Sequence, residues 1–105
     1  MPRPYEPLVP KNVGEIMDLL ASMMLSSPTF QDSYFLERNM ETEFFALNEG
    51  LKLARKKLGE QRYETLNELS HRMRAHFEAS PEKDSDDARA GRKLIREMEV
   101  ILRGG

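Results

Sequence analysis

The hydrophobic positions of this chain recur at helical spacing in four separate stretches. In the first, Val13, Ile16, Met17, Leu20, Met23 and Met24 follow the i, i+3, i+4, i+7 rule. They fall within about 120° of one another on a helical wheel. Asn12 stands where a cap is needed, and Glu15, three residues on, supplies the return half of a capping-box-like pair. Ser26, Ser27 and Pro28 end the stretch, because the residue before a proline avoids the helical region.

The second stretch is the longest. Leu36, Met40, Phe44, Leu47, Leu51, Ala54 and Leu58 make one seam close to a heptad repeat. This spacing predicts a helix of about 26 residues, roughly 39 Å long, capped by Asp32 or Ser33 and ended by Gly59. In the third, Tyr63, Leu66, Leu69, Met73 and Phe77 predict a helix from about Glu60 to Ala79. Only Gly59 separates it from its predecessor, so the two must form an antiparallel hairpin. An acidic loop (Glu82, Asp84, Asp86, Asp87) then leads to a last helix that buries Leu94, Ile95, Met98, Ile101 and Leu102. Ser85 is its preferred cap, and Ser80 followed by Pro81 is the competing start.

No stretch sustains the period-2 alternation of a strand, so the expected fold is all-α. It is a small bundle of four helices: a short first helix, a long antiparallel hairpin and a closing C-terminal helix. Residues 12–105 make a single helical domain. Ahead of it, residues 1–11 carry Pro2, Pro4, Pro7 and Pro10 and read as an extended arm. Two P-x-x-P spacings there match a polyproline ligand, while packing of Tyr5, Leu8 and Val9 onto the domain is the simpler use.

One surface of the second helix carries more apolar character than a hairpin partner can cover. Phe35, Ala46 and Leu53 lie off the main seam, and Ala46, Gly50 and Ala54 form a small-residue row beside it. A glycine inside a helix costs ~1 kcal/mol relative to alanine, so its place in that row predicts close approach by another helix. Phe35, Ala46, Gly50 and Leu53 are therefore the candidate interface of a symmetric homodimer crossing near Gly50.

Composition narrows the chemistry. The 105 residues are 39% hydrophobic and 32% charged, with no Cys, no Trp and a net charge of −2. Without cysteine no disulfide, thiolate nucleophile or zinc–cysteine site can form, which agrees with a reducing, cytoplasmic setting. The longest apolar run, Met23-Met24-Leu25, is far too short to span a bilayer. Charge is uneven: residues 1–50 sum to −5 and residues 51–105 to +3. Acids early and bases late in the helices account for much of this through the helix dipole. Beyond that account, Arg89, Arg92, Lys93, Arg96 and Arg103 fall within about 100° on the last helix, opposite its apolar stripe. Such a basic face suits an acidic protein partner. An acidic pI near 5.7 and the absence of aromatics among those bases argue against nucleic acid.

Catalytic patterns are scarce. Glu68-x-x-His71 has the spacing of a diiron carboxylate bundle, but both residues lie off the apolar stripe and no second E-x-x-H exists. His76 is five residues from His71, so the two do not share a helix face. No G-x-S-x-G turn or glycine-rich phosphate loop is present. Glu37, at the edge of the seam, is the single carboxylate placed for burial within the bundle. The terminal Leu-Arg-Gly-Gly matches ubiquitin-type modifiers in letters only, since here it follows a helix directly. No cofactor or metal is expected. The residues thus point to a non-enzymatic helical protein–protein interaction module of adaptor, accessory or inhibitor type. The alternative is a small helical enzyme, or a metal- or ligand-binding protein, whose site forms between subunits.

Overall fold

The computed structural model describes residues 9–28, 30 and 39–104. Within them lie four helices: α1 (Val13–Ser26), α2 (Met40–Leu58), α3 (Glu60–Ala79) and α4 (Asp86–Arg103). There is no strand among the described residues. The fold is the expected small all-α bundle. Residues 1–8 of the arm lie outside the described residues. At its end, Val9 is half-buried and Pro10 buried.

Three helix starts follow from side-chain caps. Asn12 Oδ1 accepts the Glu15 amide at 2.9 Å, and the Glu15 carboxylate in turn accepts the Lys11 amide at 3.0 Å. Ser85 Oγ accepts the Ala88 amide at 3.0 Å, so α4 starts at the preferred cap and Ser80 instead closes α3. The start of α2 differs from the sequence reading. Asn39, not Asp32 or Ser33, is the cap, and its extended backbone (φ −153°, ψ −177°) ends any helical path running through it. Asn39 and Thr42 exchange side-chain-to-amide bonds of 3.0 Å in each direction, a complete capping box. Asp32 and Ser33 themselves lie outside the described residues.

The helices close into a ring: α2 packs on α1 and α3, and α4 packs on α3 and α1. The centre of each inward stripe is buried, while Val13, Met17, Met24, Met40, Tyr63 and Ile101 are only partly buried against it and Leu36 lies outside the described residues. Ile16, Leu20 and Met23 come from α1; Phe44, Leu47 and Leu51 from α2; Leu66 and Met73 from α3; Ile95 and Met98 from α4. One further core residue belongs to no helix. Phe30 is fully buried, with its ring edge-on to Phe44 (5.7 Å between centroids) and Phe77 (5.3 Å). Its backbone is left-handed (φ 60°), and its amide donates to the Ser26 carbonyl at 2.9 Å. Across the hairpin, Ser70 Oγ and Asn48 Oδ1 bond at 2.8 Å, which pairs a hydroxyl that is only 1% exposed.

The α2–α3 turn is made by Gly59 at φ 86°, a conformation that an L side chain adopts only with strain. Arg55 and Glu60 clamp across it in a two-pronged pair at 2.6 and 2.7 Å, and the Arg55 guanidinium lies 4.7 Å from the Tyr63 ring centroid. The hydrogen bond from Arg55 lowers the Glu60 pKa below its ordinary value. A lowered carboxyl pKa contributes stability that is present above the ordinary carboxylate range and lost as pH falls through the lowered value. NMR titration should therefore give Glu60 the lower midpoint expected of a paired carboxylate. Arg55→Gln should return it to that of a free glutamate; an unchanged midpoint in the variant would mean that the pair does not form in solution.

Candidate functional site

The faces proposed from the sequence fare differently in three dimensions. Gly50 is buried, but what approaches it is the chain's own Pro10: a Cβ on Gly50 would lie 3.1 Å from three carbons of that ring. The small-residue row is thus used inside the protomer, and a helix crossing at Gly50 would have to displace Pro10. Ala46 is buried with it, whereas Leu53 stays 64% exposed. Phe35 and Glu37 lie outside the described residues. Phe45, unremarked in the sequence pattern, is half exposed on α2.

The basic face of α4 is divided. Arg92 turns inward, donating to the Lys83 carbonyl and, at 3.5 Å, to Ser27 Oγ at the end of α1. It is a clasp between α1, α4 and the preceding loop rather than part of a solvated stripe. Arg89 is exposed and lies 3.6 Å from Asp86 on its own first turn. Lys93, Arg96 and Arg103 are exposed, with no carboxylate paired to them among the described residues.

Neither Glu68 nor His71 meets the core; both side chains are exposed on α3. His76 is half-buried and sits 3.0 Å from Asp87, tying the end of α3 to the start of α4. No three His, Asp or Glu side chains are grouped among the described residues as a metal ion would require. Sequence reading missed the buried carboxylate of the described residues, Glu43, 4% exposed in the first turn of α2, where the helix dipole favours negative charge. No described helix is long and apolar enough to cross a membrane.

A groove of about 550 Å³ lies between α3 and α4. From α4 it takes Lys93, Arg96, Glu97, Val100 and Ile101, spaced i, i+3, i+4, i+7 and i+8. That is a second stripe, adjoining the core stripe of the same helix. From α3 it takes Thr65 and Leu69, one turn apart. Leu69 is 6% exposed and forms part of the floor, Ile101 is half-buried, and Val100 stands 65% exposed at the mouth. The stems of Lys93 and Arg96 extend the apolar wall while their charged ends stay exposed at the rim. Glu97 is four residues from Lys93, yet the two make no ion pair within 4 Å. Chemically, the groove offers an apolar floor with cations beside it. The pattern alone could not have singled it out, because alternating charged and apolar residues on an outer helix face read as ordinary solvated surface. Set against known proteins, the chain matches no family model, no curated protein and no solved structure.

Proposed function

We propose that this protein is a non-enzymatic helical interaction module that binds a protein partner through its α3–α4 face. The observation that carries this reading is the apolar strip Leu69–Ile101–Val100, which runs from a buried floor to an exposed mouth and is bordered by Lys93 and Arg96, neither paired to a carboxylate among the described residues. A single exposed valine needs no explanation, but an exposed valine that continues a groove into the core does. Burying such a side chain in an interface is worth roughly 1.5–3 kcal/mol, and the cations at its edge can set orientation and association rate.

A photo-crosslinking residue at position 100 tests the reading, with position 25 as control, since Leu25 is 83% exposed and lies away from the groove. In the native cells, position 100 should give one discrete adduct that Arg96→Glu abolishes, and position 25 should give none. Absence of an adduct at position 100 would remove this face as the binding surface. A second reading, self-association through α2, is favoured by the exposure of Phe45 and Leu53. It gives an adduct of twice 12.2 kDa from position 53 rather than from position 100.

A further inference from the structure

Resting on the reading of the α3–α4 face as a binding surface, we infer that its occupant is an amphipathic α-helix bearing carboxylates beside its apolar seam. The walls of the groove decide the form of the occupant. Both are helices, whose interior backbone groups are already bonded within the helix, so no sheet edge is available to pair with an extended strand. The lining holds no aromatic ring, so a polyproline segment finds none of the stacking surfaces it uses. A helix needs neither, because it satisfies its own backbone and presents only side chains. The stretch Lys93–Ile101 rises about 12 Å along α4, which matches two turns of a partner with apolar anchors at i, i+3 or i+4, and i+7.

Charge decides the sign. Lys93 and Arg96 border the floor, against the single carboxylate of Glu97, and Arg103 extends the excess along α4. Carboxylates flanking the partner's seam meet these cations at the rim, Arg96 offering a planar fork for a two-pronged bond. The same distribution disfavours a second copy docked face to face, which would bring together two rims of the same net positive sign. It also disfavours nucleic acid, whose phosphates would meet Glu97 without any aromatic platform for the bases.

The test uses fluorescein-labelled peptides of about 18 residues, long enough to hold helical structure, titrated onto the full chain by anisotropy. One carries a leucine seam flanked by glutamates, a second the same seam flanked by lysines, and a third the glutamates with alanine in place of leucine. The first should bind about tenfold or more tightly than either other, and weaken as salt rises from ~50 to ~500 mM. Val100→Ser should weaken it, and Lys93→Glu with Arg96→Glu should reverse the preference toward the lysine peptide. Circular dichroism of each variant confirms that the bundle is retained. Equal or tighter binding of the lysine peptide to the parent chain, or binding indifferent to the charge reversal, would overturn the inference. So would a position-100 adduct with none of the peptides binding, with a second copy as the crosslinked mass, or with a single-stranded oligonucleotide or an anionic vesicle as the better ligand; in these cases the binding face itself still stands. Absence of the adduct removes the face and the helix together.

Discussion

Phe30→Ala is expected to destabilise the protein by about 3–5 kcal/mol, the cost of removing a buried aromatic ring that its surroundings cannot replace. Phe30 fills the space between Phe44 of α2 and Phe77 of α3, touching both edge-on. Its loss therefore opens a cavity shared by two helices rather than a dent in one. The left-handed backbone at this position adds a second, separable effect. Alanine keeps the strain of a Cβ at positive φ, whereas glycine relieves it, so Phe30→Gly should be about 1–2 kcal/mol more stable than Phe30→Ala. At ordinary right-handed positions this order is reversed. Urea melts of the three proteins check both statements. A cost below ~1 kcal/mol for Phe30→Ala would mean that the ring is not in the core.

Gly91→Leu should cost more than ~3 kcal/mol, beyond the usual penalty of one extra methylene. A Cβ on Gly91 would lie 2.4, 2.6 and 2.8 Å from three atoms of the Phe77 ring, distances that carbon atoms do not sustain. Phe77 cannot swing into solvent, being 1% exposed and held at 5.3 Å from Phe30. Even Gly91→Ala should destabilise, because overpacking of ~1–3 kcal/mol exceeds the ~1 kcal/mol that alanine gains in a helix. Combining Gly91→Ala with Phe77→Leu should recover part of the loss, since the smaller side chain vacates the space. Thermal melts showing Gly91→Ala more stable than the parent would mean that α3 and α4 do not pack this closely.

These two residues mark where sequence reading reaches and where it stops. Helices α1, α3 and α4 were readable because Asn12, Gly59 and Ser85 punctuate stripes of regular period. The start of α2 was not. The seam Leu36–Met40–Phe44 keeps helical spacing straight across Asn39, and periodicity cannot see that the backbone of Asn39 itself is extended. The Asn39–Thr42 box also uses threonine where the usual signature has Glu or Gln. Phe30 was invisible for a related reason: a lone aromatic between helices has no period, and only the fold brings Phe44 and Phe77 to it. Gly50 signalled a close neighbour correctly but not which one, and Gly91 carries the same signal on α4. On the candidate surface, a helical wheel gives direction but not reach. It therefore grouped Arg92 with Lys93 and Arg96, although Arg92 folds back onto Ser27 and Lys83.

The ring order of the helices has a consequence for how the chain loses its structure. The α2–α3 and α3–α4 contacts join neighbours through one residue and a six-residue loop, so their closure entropy is small and they re-form quickly. The α1–α4 contact instead spans nearly the whole domain, and the Arg92 clasp bridges 65 positions of sequence. Closure over that distance carries the larger entropic cost, and only Ile16, Leu20 and Met23 bury their full side chains on the α1 side of it. The α1–α4 junction is therefore the one expected to open first. Native-state hydrogen exchange should show it as lower protection in α1 than in α3, while the α3–α4 groove, which α1 does not line, stays closed.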